Sequence, residues 1–170
     1  GAVFQGLLRH GDHVIVSKFL FGNSRSLWDT VSQQGVRVSF VDATDVKHVR
    51  AALQENTRLV FVETIANPGT QIADLEKIGT LCTEHGIVYV VDNTMTSPYL
   101  FLPKQVGASL IVHSLTKMIA GHGHVLGGSL TDTGLFDWRD FPNILPSSQK
   151  GDSKKWGMAQ IHAKGLRDFG

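Results

Sequence analysis

Cysteine is nearly missing from this chain: Cys82 is the single one in 170 residues. That excludes an internal disulfide framework and any zinc site built from several cysteines. A surplus of charge is missing too, with 16 Lys and Arg against 15 Asp and Glu and a formal net charge of +1. No broad electrostatic footprint for nucleic acid or an anionic membrane follows, and neither is an expected partner. No apolar run approaches the roughly 18 residues that a membrane-spanning helix needs. No secretory leader is read at the amino end, and the sparse cysteine fits the cytoplasm. What the chain does contain is globular, with 42% hydrophobic and 18% charged residues. This is enough apolar side chain for one ordinary domain with a real core. Glycine is abundant, at 18 residues.

Short aliphatic runs recur along the chain at His13–Val16, Val36–Val41, Leu59–Val62, Ile87–Val91 and Leu110–Val112. They are continuous rather than alternating, the pattern of strands covered on both faces. Amphipathic stretches separate them. Ser24–Gln33 reads as a helix with Leu27, Trp28 and Val31 inward. Val46, Val49 and Leu53 follow Asp45 at helical spacing, with Asp45 placed as the cap. Leu75, Ile78, Leu81 and Cys82 form one apolar face after Asp74, and Gly86 stands where a left-handed C-cap is wanted. Ser97-Pro98 reads as a cap and a first-turn proline. Strand alternating with helix predicts a three-layer α/β/α sandwich on a mostly parallel sheet. The expected organisation is a large domain over 1–145, a loop or linker over 146–155 and a terminal helix over 156–170.

In open α/β sheets ligands bind beyond the carboxyl ends of the strands. Glu63, Thr64 and the turn Asn67-Pro68-Gly69 follow one apolar run, Asp92-Asn93-Thr94 the next, and His113-Ser114-Leu115-Thr116-Lys117 the last. Asn67 to Asp92 and Asp92 to Lys117 are each 25 residues, about one strand–helix unit. The three clusters are therefore expected along one rim. A carboxylate at the end of a buried strand is costly unless a cation or strong donors face it. An amine flanked by hydroxyls and glycines suits a carbonyl and a phosphate. A carboxylate for a pyridinium nitrogen and a lysine able to form a Schiff base are the equipment of a pyridoxal-phosphate enzyme.

The ordered stretches Glu63-Thr-Ile-Ala-Asn67-Pro68, Val91-Asp92-Asn93-Thr94 with Pro98, and Gly107-Ala108 through His113-Ser-Leu-Thr-Lys117 to Gly121-His122 resemble the pyridoxal-phosphate family of sulfur amino-acid metabolism. That family includes cystathionine γ-synthase, the cystathionine lyases, methionine γ-lyase and the O-acylhomoserine sulfhydrylases. The resemblance implies the aminotransferase-like large domain, incomplete, with pyridoxal 5′-phosphate as cofactor. It implies that Lys117 carries the cofactor and acts as the catalytic base. Asp92 would face the pyridine nitrogen, Ser114 and Thr116 the phosphate, Asn67 the phenolic oxygen, and Phe21 the ring face. It implies a central fragment of a longer protein, without the family's glycine-methionine phosphate loop and without the C-terminal arginine for the substrate carboxylate. It further implies a homotetramer or dimer acting on a small amino-acid substrate. The expected reaction is γ-replacement on O-succinyl- or O-acetylhomoserine by a sulfur nucleophile. A carbon–sulfur lyase and a catalytically silent truncated chain are the alternatives.

Local departures bear on that choice. Phe21 stands where many members have tyrosine, as it does in sulfhydrylase-like members, and Asn23 stands where methionine γ-lyases tend to have cysteine. Met118 replaces a tyrosine that commonly follows the lysine. Plainer readings also exist for each residue. Asp92 fits a loop cap for Asn93 and Thr94, Ser114 and Thr116 fit caps of a following helix, and Phe21 fits a core position. His113, His122 and His124 lack the i,i+4 spacing of a helical zinc pair, so no metal is expected. Cys82, on an apolar face, is read as packed and inert.

Overall fold

The computed structural model describes residues 1–167. The elements in chain order are α1 (Ala2–Leu7), β1 (His13–Ser17), α2 (Gly22–Gln33), β2 (Arg37–Val41), α3 (Val46–Ala51), β3 (Thr57–Glu63), α4 (Leu75–Glu84), β4 (Val88–Asp92), α5 (Ser97–Leu100), β5 (Leu110–Ser114), β6 (Gly128–Asp132) and α6 (Trp156–Gln160). They build one six-stranded sheet in the order β2-β1-β3-β4-β5-β6. The first five strands run parallel, and β6 returns antiparallel to β5. All five expected strands form, and β6 is an addition.

Alternate residues of each strand bury opposite faces. Val14, Val16, Leu59, Val88, Val90 and Leu110 pack with Leu7, Trp28, Val31, Trp138 and Ile161. Ile15, Val60, Val62, Tyr89, Val91 and Ile111 pack with Val49, Ile78, Leu81 and Cys82. One face is therefore covered by α1, α2 and the C-terminal segment, the other by α3 and α4. The result is the expected three-layer sandwich. Full burial of each such aliphatic is worth about 1.5–3 kcal/mol, which is why unbroken runs such as Val88–Val91 are stable only in the centre of the sheet.

The helix ends follow the sequence in most places. Asp45 accepts the Lys47 N–H at 2.9 Å and starts α3. Gly86 takes φ +62° just past α4, a conformation that costs glycine little. Asp74 precedes α4 without making a cap bond, its carboxylate meeting Lys77 Nζ at 3.1 Å instead. Two expectations are corrected. Leu27 is 37% exposed, because α2 turns only Trp28 and Val31 to the core. Thr96, not Ser97, holds the cap position of α5, and Ser97 lies inside with φ +54°.

Residues 146–155 contain two short 3-10 turns, Pro146–Ser148 and Ser153–Lys155, with Ser148 buried. α6 continues into a π-helical segment, Ile161–Arg167. The last three residues of the expected terminal helix, 168–170, lie outside the described residues. No helix among the described residues is long and apolar enough to cross a membrane.

Candidate active site

The carboxyl ends of β3, β4 and β5 converge on a cavity of about 260 Å3 lined by Phe21, Asn67, Asp92, Ser114 and Lys117, five of the six expected residues. Thr116 is not in the lining. Its hydroxyl bonds the backbone of Gly127 in both directions, accepting from N at 3.1 Å and donating to O at 3.3 Å. Glu63, Thr94 and Met118, named in the sequence motifs without a site role, and Ser24, Ile65 and Met95 complete the wall.

Asp92 ends β4 and is half-buried. Its Oδ1 accepts the Thr94 N–H at 3.0 Å and the Thr94 hydroxyl at 2.5 Å. The same Thr94 Oγ1 accepts the Ser114 N–H at 2.8 Å. Thr94 thus fixes the carboxylate to β4's loop and that loop to the end of β5. The loop-capping reading of Asp92 holds together with its place in the cavity wall, because only Oδ1 is engaged. Among the described residues Oδ2 has no hydrogen-bond partner.

Lys117 follows β5 in a series of turns rather than a helix. Ala120 N–H bonds Leu115 O at 2.9 Å and Gly121 N–H bonds Lys117 O at 2.9 Å. No helix follows Ser114 and Thr116 for them to cap. No ion pair among the described residues involves Lys117.

Glu63 ends β3 directly beside Asp92 in the parallel register. Its Oε1 accepts the backbone N–H of Phe21 at 2.8 Å. Burial, with a smaller contribution from the neighbouring Asp92 carboxylate, raises its pKa to about 6, although N–H bonds from Phe21 and Asn67 oppose the shift. The signal for Glu63 was in the sequence: it directly follows the apolar run Leu59–Val62 that also places Asn67.

Asn67 sits in the expected turn, with Thr70 N–H donating to Ala66 O at 2.9 Å. Phe21 precedes α2 and is 44% exposed, so its ring is a wall of the cavity rather than part of the core. His113 is buried, its Nε2 3.3 Å from Asn93 Nδ2, and burial lowers its pKa against a weaker opposite pull from Asp92. His122 and His124 stack on each other with centroids 5.6 Å apart. Among the described residues no group of three or more His, Cys, Asp or Glu is gathered as a metal site. Cys82 is buried and its thiol pKa is pushed far up by burial, which leaves it an unreactive thiol.

A parallel sheet with a polar cavity at the carboxyl ends of its strands defines a ligand-binding α/β protein. Two carboxylates and an amine line that cavity without an ion pair among them, a donor set suited to a charged heterocycle. The sequence profile of the Cys/Met metabolism PLP-dependent enzymes matches residues 1–168, and the chain belongs to that family. It is 35% identical over 144 residues to the homocysteine/cysteine synthase of Saccharomyces cerevisiae, covering 84% of this chain and 32% of that protein. It is 41% identical over 124 residues to the L-methionine gamma-lyase of Fusobacterium nucleatum subsp. polymorphum, covering 72% of this chain and 31% of that protein. Among solved structures, the O-acetylhomoserine sulfhydrylase of Wolinella succinogenes superposes with a TM-score of 0.90 at 38% identity, covering 99% of this chain and 48% of that one. The chain thus spans about a third of the length of the curated relatives it matches.

Proposed function

We propose that the protein is a pyridoxal-phosphate enzyme that replaces the γ-substituent of an O-acylhomoserine with a sulfur nucleophile. The observation that carries this reading is the placement of Lys117 and Asp92 around one cavity, with no protein partner for the Lys117 amine or Asp92 Oδ2 among the described residues. The residues fit the cofactor: an amine for its aldehyde, a carboxylate for its ring nitrogen, a serine for its phosphate and an aromatic side chain for its face. When bound, that cofactor supplies an electron sink for the substrate α-carbon.

Each residue then has a task. Lys117 would hold the cofactor through its amine, and that amine, when free, would take the substrate's α-proton and move a proton at the β-carbon. Asp92, fixed by Thr94, would face the ring nitrogen and favour its protonated form. Phe21 would face the ring, Asn67 its phenolic oxygen and Ser114 its phosphate, with Thr116 beside Ser114. With phenylalanine at position 21 the wall offers no phenol to assist the leaving group, which favours an acyl ester, a good leaving group, over a thiolate. A lyase is the second reading, favoured by the identity to the methionine gamma-lyase.

The protein at its full native length is the material for the test. Bound cofactor is expected to give a visible absorption band that Lys117→Ala loses. Supplied with O-acetylhomoserine and sulfide it is expected to form homocysteine, whereas an oxo acid with ammonia identifies the lyase. No band at any cofactor concentration identifies a silent chain. We further propose that a second copy of the chain covers the cavity mouth. Met95 and Met118 on the wall are 38% and 57% exposed, and Tyr99 and Leu100 of α5 are 93% and 72% exposed, more apolar surface than a lone subunit usually leaves open. An active monomer in sizing experiments contradicts this. The lone buried thiol of Cys82 is compatible with the cytoplasm, which we propose as the location.

A further inference from the structure

Glu63 has no place in the scheme above, yet it is the most enclosed acid of the cavity, 8% exposed. No ion pair among the described residues reaches it. A carboxylate buried without a cation costs several kcal/mol unless strong donors compensate. The Phe21 N–H donates to Glu63 at 2.8 Å, and the Asn67 N–H faces the same carboxylate closely enough to lower its pKa. Those amides belong to segments far apart in sequence, the start of α2 and the turn after β3. Both segments supply a side chain to the cavity, Phe21 from one and Asn67 from the other. Neither segment lies within the sheet: the turn after β3 is joined to Asp92 O through the Thr64 N–H at 3.0 Å and closed by the Ile65–Ile72 bridge, and the start of α2 is joined to the end of β3 through Glu63.

We propose that Glu63 is a positioning residue, its carboxylate pinning the backbone of Phe21 and Asn67 to the carboxyl end of β3 so that both side chains face the ligand held between Asp92 and Lys117. The ligand part of this rests on the function proposed above, but the pinning does not. The register explains why β3 carries an acid here. Glu63 stands level with Asp92 on the adjacent strand, so the tether is anchored at the height of the carboxylate that faces the ligand. A glutamate reaches outward from that point to two loops, whereas a shorter aspartate would not.

The charged surroundings make the tether sensitive to pH. Asp92 on β4 lies beside Glu63, and Lys117 after β5 lines the same cavity. On the β1 side Lys18 is paired with Asp42 at 3.0 Å, and on β5 His113 faces Asn93. The pKa of Glu63 is raised to about 6, so the carboxylate gains a proton at mildly acid pH. A protonated acid has one oxygen fewer to offer the two amides.

The test uses the protein at its full native length and two variants. Without cofactor, amide exchange at Phe21 and Asn67 is measured in the wild type, Glu63→Ala and Glu63→Gln. Glu63→Ala is expected to lose at least about tenfold in protection at both amides, since each loses a charge-assisted bond. Glu63→Gln keeps an acceptor oxygen and is expected to retain most of it. With pyridoxal 5′-phosphate added, its dissociation constant and the visible circular dichroism of the bound ring are followed between pH 5 and 7.5. The wild type is expected to weaken by up to about tenfold per unit as pH falls below 6, and Glu63→Gln to follow a flat profile there. Unchanged protection at both amides in Glu63→Ala overturns the proposal, as does a Glu63→Gln profile that follows the wild type's. If the cofactor fails to bind at all, the function proposed above falls, and the amide measurement still decides the pinning. If Glu63→Ala does not fold, the pH profile of Glu63→Gln decides.

Discussion

At the scale of single residues the cavity is a problem of uncompensated charge. Two carboxylates end adjacent strands, and among the described residues Glu63 is met by backbone N–H and Asp92 by the N–H and hydroxyl of Thr94 instead of a cation. Replacing Asp92 by Asn keeps the shape and the bonds from Thr94 but removes the charge. The cofactor is expected to bind still, while removal of the α-proton slows by at least about a hundredfold, the loss of roughly 3 kcal/mol of transition-state stabilisation. Single-turnover deuterium exchange at the α-carbon measures this, and near-normal exchange contradicts the assignment. Glu63 carries the complementary expectation for stability. Its folded pKa lies above the ordinary 4.5, at about 6, so the folded state holds this proton more tightly than the unfolded chain. The stabilisation is present at low pH and is lost as pH rises through 6. It amounts to about 2 kcal/mol at most, lessened by solvent at the open rim. The cofactor-free wild type should therefore lose stability relative to Glu63→Gln between pH 4.5 and 7. Parallel denaturation midpoints across that range would count against it.

At the scale of elements, the sequence was legible wherever burial is two-sided. Four of the five parallel strands, β1, β3, β4 and β5, announce themselves because both faces are buried, and the edge strand β2 does so through Val38, Phe40 and Val41; their order along the rim made Asp92, Lys117 and Asn67 recognisable as neighbours. β6 was illegible for the opposite reason. Gly128-Ser-Leu-Thr-Asp132 has one large apolar residue, lies at the sheet edge and is held by its antiparallel ladder to β5 rather than by its own side chains. α1 and α5 are too short for periodicity to show. The outward turn of Leu27 and the hydroxyl of Thr116 turned to Gly127 are set by neighbours distant in sequence, which no local pattern encodes. Close approach of elements is equally hidden until the packing is seen. Gly79 on α4 lies against the carbonyl oxygen of Val106, where a Cβ would collide with backbone. Gly79→Ala should lower stability by about 2–4 kcal/mol despite alanine's better helix propensity. A thermal midpoint equal to or above that of the wild type would show that α4 can shift without cost.

At the scale of the whole molecule the two ends of the chain close on each other, on the sheet face away from α3 and α4. Gly6 of α1 faces Ile161 so tightly that a Cβ there would lie 2.9 Å from the Ile161 Cα. The fully buried Gln160 of α6 joins three segments in the same place. Its Nε2 donates to Gly6 O at 2.7 Å and to Asn143 O at 2.8 Å, and its Oε1 accepts the Leu145 N–H at 2.6 Å. Leucine at 160 would fit the apolar surroundings but would take away the partners of the Leu145 N–H and the Gly6 carbonyl, at about 1–3 kcal/mol for each orphaned group, while the Asn143 carbonyl keeps its bond from Arg9. Gln160→Leu should therefore cost about 2–5 kcal/mol in a denaturant titration. The cavity, by contrast, is assembled from residues 21–118 at the carboxyl rim of the sheet and takes no side chain from this clasp. At temperatures where Gln160→Leu remains folded, the cofactor band and its dissociation constant are expected to match the wild type's. A variant that stays folded yet loses the cofactor would mean that the clasp and the rim move together, and that the closure of the chain ends is part of how the site keeps its shape.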